Sequence, residues 1–69
     1  MLPNYSKELM EFHYNFDPLF KQLCDETDKE KDDAKFQLNL ALISLVLDGK
    51  IAITKDNFGE LLFEKAQPN

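Results

Sequence analysis

Arginine and tryptophan are missing from this chain of 69 residues, and cysteine, Cys24, and histidine, His13, occur once each. Each absence removes a class of function. One cysteine cannot form an intrachain disulfide, and a single unpaired thiol fits a reducing compartment better than secretion. One Cys with one His cannot build a zinc cage. Without arginine there is no side chain for bidentate readout of guanine. Two glycines leave no Gly-rich phosphate cradle. The longest apolar run, Leu38 to Leu47, is interrupted by Asn39 and Ser44 and is too short to span a bilayer. The first residues lack a basic segment followed by an apolar one, so no signal peptide is read. The expectation is a cytoplasmic protein with no membrane segment and no cofactor.

What is present is acid. Thirteen Asp and Glu against eight Lys give a net charge of −5. That balance disfavours nucleic acid and anionic membranes as partners. Many Lys and Asn with no Arg suit an AT-rich bacterial or phage genome. The length sets a single small domain over residues 1–69, with 66–69 expected to fray. A chain this short buries only about 60% of the surface it exposes when unfolded. With disulfide and metal excluded, a partner is the remaining aid to stability.

Tyr5, Leu9, Phe12, Phe16, Leu19 and Leu23 recur at spacings of four, three, four, three and four, the stripe of an amphipathic helix. Ser6 is a plausible N-cap. Pro18 breaks the pattern, and Asp17-Pro18 reads as an N-cap followed by proline at the first helical position. Two short helices over 6–16 and 18–25, or one helix kinked there, are expected. The segment 25–35 is dense in charge and reads as a solvated loop or first turn. Within it, Thr27 to Glu30 fits a capping box, so the next helix is expected to start at Asp28 or at Asp32.

That third helix runs to Asp48. Asp33, Gln37, Ala41, Ser44 and Asp48 share one narrow face, and nearly all else from Leu38 onward is apolar. A helix apolar around most of its circumference has to be covered on more than one side. Gly49 then stops it. Ile51 and Ile53 alternate with Lys50, Ala52 and Thr54 as in a strand. The stretch 55–65 returns as a second strand or as a helix. Gly59 favours the hairpin, because glycine is welcome in a turn and costs about 1 kcal/mol inside a helix.

The candidate chemistry is thin. His13, Asp17 and Cys24 have the residue types of a nucleophile with its base and orienting carboxylate, but Pro18 lies between them. Asp48 to Ile51 has the look of part of a calcium loop, yet Val46, Ser44 and Lys55 stand where ligands are required. No catalytic or metal site is assigned, and the chain is read as a non-enzyme. The exposed apolar surface is the lead. Leu40, Ile43, Val46, Leu47, Ile51, Ile53 and Phe58 are the candidate partner-binding residues, with aromatic anchors of the kind that dominate interfaces.

The run Leu40-Ala41-Leu42-Ile43-Ser44-Leu45-Val46-Leu47-Asp48-Gly49-Lys50-Ile51-Ala52-Ile53 resembles the last helix and first wing strand of a winged-helix domain. Through Ala41, Leu42, Leu45, Gly49, Ile51 and Ile53 it is also similar to the small middle components of bacterial ABC-three-component systems. Those winged-helix-like proteins accompany an SMC-like ATPase in conflict or defence loci. The resemblance covers about one third of the chain, and the N-terminal part has no counterpart. The expected fold is therefore α+β, two or three helices followed by a C-terminal β-hairpin, with an all-α small bundle as the alternative. The expected function is a protein-protein adaptor or accessory subunit, in a hetero-complex or a homodimer. The alternatives are a winged-helix DNA-binding regulator using Lys31, Lys35, Lys50 and Lys55, and an acidic inhibitor of a nucleic-acid enzyme using Asp28, Asp32 and Asp33.

Overall fold

A computed structural model describes residues 7–66. Tyr5, Ser6 and the tail 67–69 lie outside the described residues, so the Ser6 cap is not among the features below. Three helices, α1 (Lys7–Phe16), α2 (Pro18–Lys29) and α3 (Asp33–Leu47), precede strands β1 (Ile51–Lys55) and β2 (Leu61–Lys65). The strands form one antiparallel hairpin. The chain is an α+β domain of three helices and a hairpin, and the all-α alternative is set aside.

The break between α1 and α2 falls where proline forces it. The Asp17 carboxylate accepts from the N–H groups of Leu19 (3.1 Å) and Phe20 (3.3 Å), and Pro18 occupies the first turn, where a missing N–H costs nothing. α2 then runs four residues past the expected end at 25. The charged segment through Lys29 is helix, not loop, because the buried stripe continues through it as Phe20, Leu23 and Thr27. Thr27 is a buried interior residue whose hydroxyl donates to the Leu23 carbonyl (2.7 Å). It therefore does not cap the next helix. Asp32 does, accepting from the Lys35 N–H (3.1 Å), so α3 takes the later of its two expected starts.

α3 ends in a Schellman motif. The Lys50 N–H donates to the Leu45 carbonyl (2.9 Å), the Gly49 N–H to the Val46 carbonyl (3.0 Å), and Gly49 is left-handed at φ +74°. In the hairpin, Ile53 faces Phe63 and Thr54 faces Leu62. The loop 56–60 is held by Asp56, whose carboxylate accepts from the N–H groups of Phe58 (2.8 Å) and Glu60 (2.9 Å). Gly59 adopts φ +83°, a conformation that favours glycine. Ala66 is tied back rather than frayed, donating its N–H to the Lys50 carbonyl (3.0 Å).

The core is small. Among the described residues Phe20, Leu23 and Ile43 are the buried apolar side chains. Met10, Leu42, Val46, Leu47, Ile53, Leu61 and Phe63 pack round them half-buried. α2 is thus the central helix, with α1 on one flank, α3 on another and β1 closing the far side.

Candidate functional site

α3 points Ile43 into the core. Successive residues of a helix turn by about 100°, which puts Ala34, Ala41, Leu45 and Leu38 at about 180°, 160°, 200° and 220° from Ile43. These four therefore form a row on the face opposite the core. All four are exposed, Leu38 at 58% and Leu45 at 36%. No charged residue occurs from Phe36 to Leu47. A solvated helix face normally carries charge, and this one carries none over that stretch.

The seven residues singled out in the sequence divide differently. Ile43 is core and cannot present itself at a surface. Leu40, Val46, Leu47, Ile51 and Ile53 are half-buried, and Val46, Leu47 and Ile53 pack against the buried cluster. Phe58 is 91% exposed at the tip of the hairpin. The sequence reading passed over Leu38, Leu45 and Leu62, which are exposed. Of the narrow face Asp33, Gln37, Ala41, Ser44 and Asp48, every position but the half-buried Ser44 is exposed, and the exposed surface extends past it to Leu38 and Leu45. The spacing of Ala34, Leu38, Ala41 and Leu45 was the signal that would have found the row.

A second apolar feature is the outer side of α1. Phe16 and Phe12 are exposed with ring centroids 5.0 Å apart; His13 lies edge-on to Phe12 (5.9 Å) and 5.6 Å from Phe20. An aromatic ladder thus leads from the surface to the core. Between α1 and α3 lies a groove of about 400 Å³, lined by Met10, Tyr14, Cys24, Phe36, Leu40 and Ile43.

Cys24 borders that groove. Desolvation, followed by the charges of Asp28 and Asp25, pushes its thiol up to about 11. It stays protonated at neutral pH, whereas a nucleophilic cysteine needs its thiolate. Among the described residues no group of three or more His, Cys, Asp or Glu is arranged to hold a metal ion. No helix among them is long and apolar enough to cross a membrane.

Much of the acidic run has structural work. Asp25 accepts from the Tyr14 hydroxyl (2.8 Å) and from Lys21 (3.2 Å), which fastens α1 to α2. The Tyr14 bond and then the Lys21 bond hold the Asp25 carboxyl below its ordinary value. The same bond raises Tyr14. Glu26 accepts from Gln22 (2.7 Å), Glu30 from the Asp32 N–H (3.0 Å), and Asp32 caps α3. Lys31, Lys35, Lys50 and Lys55 are exposed, but Asp32, Asp33 and Asp48 are exposed within two residues of the first three.

No family model, curated protein or solved structure matches the chain.

Proposed function

We propose that this chain is a non-catalytic adaptor or accessory subunit, which docks on other protein through apolar side chains left on the outside of α3 and of the hairpin. The carrying observation is the uncharged outer row of α3, Leu38 and Leu45 with Ala34 and Ala41. Phe58 and Leu62 add a second exposed apolar position on the hairpin. A core of three buried apolar side chains among the described residues leaves a small domain short of apolar burial, and docking would supply what the fold omits. The resemblance to accessory components of bacterial defence assemblies points the same way, to a bacterial or phage conflict complex in the cytoplasm.

The DNA-binding reading loses ground at the same place. In a winged-helix reader the outer face of this helix would enter the major groove, and phosphate contact needs concentrated positive charge. Here that face is leucine and alanine.

The test is purification of the tagged chain from its native host, in parallel with a Phe58→Asp/Leu62→Lys variant. Expected is a protein retained in stoichiometric amount by the natural sequence and lost by the variant. Identical retention by both would overturn the role given to the hairpin.

A further inference from the structure

We draw no further inference here: the strongest candidate, the exposed row of Ala34, Leu38, Ala41 and Leu45 on the outer face of α3, already serves the adaptor reading, and nothing in the structure shows what covers it.

Discussion

α2 and α3 are of similar length and share one core, but they solve different problems. α2 buries one face, Phe20, Leu23 and Thr27, and gives its outer positions to Lys21, Glu26, Asp28 and Lys29. It is finished as a surface helix of a monomer. α3 also buries one face, around Ile43, but its opposite face is Ala34, Leu38, Ala41 and Leu45. The difference teaches that the surplus apolar surface of this chain is not spread evenly. On its helices it is concentrated on α3 and on Phe12 and Phe16 of α1, and it is absent from the element that organises the core.

The comparison breaks first at the core. Phe20→Ala should cost about 3–5 kcal/mol, enough to unfold most of a chain of this size, read as loss of the cooperative thermal transition. Asp17→Ala removes the cap that starts α2 and should cost about 1 kcal/mol in denaturant midpoint without changing the fold. Leu38→Lys lies on the other face of α3, where that leucine is 58% exposed. It should change the stability of the single folded chain by less than about 0.5 kcal/mol. If it instead unfolds the chain, the outer row is structural and the contrast between the two helices fails.

The smallest effect is electrostatic. Asp25 is held below the usual carboxylate range by Tyr14 and Lys21, so its bond stabilises the fold above its ordinary value of 3.8. That contribution is lost as pH falls through the lowered folded value. Tyr14→Phe should therefore narrow the gap in denaturant midpoint between neutral and acid pH, relative to the natural sequence. An unchanged gap would remove the Tyr14–Asp25 bond from the forces that hold α1 in place.

Local chemistry was legible in the sequence. Asp17-Pro18, Gly49 and Gly59 each demand a particular backbone, and they placed the α1–α2 break, the end of α3 and the hairpin turn. Two features were not legible. The end of α2 was placed too early because charge density at 25–29 looks like loop, whereas Thr27 is buried there and Asp25 and Glu26 accept from Lys21 and Gln22 one turn earlier. The extension of the outward face of α3 to Leu38 and Leu45 was missed because a helix apolar all round has no periodic signal to say which side is core. Packing of α2 and β1 makes that choice, and it sends Ile43 inward and Leu38 and Leu45 outward.

Retention of a partner by the tagged chain in its native host, compared between the natural sequence and Leu38→Lys and Leu45→Lys variants that remain folded, bears most directly on the outer face of α3. A protein held in stoichiometric amount by the natural sequence and lost by both variants is expected. Equal retention by all three would contradict the docking role of that face.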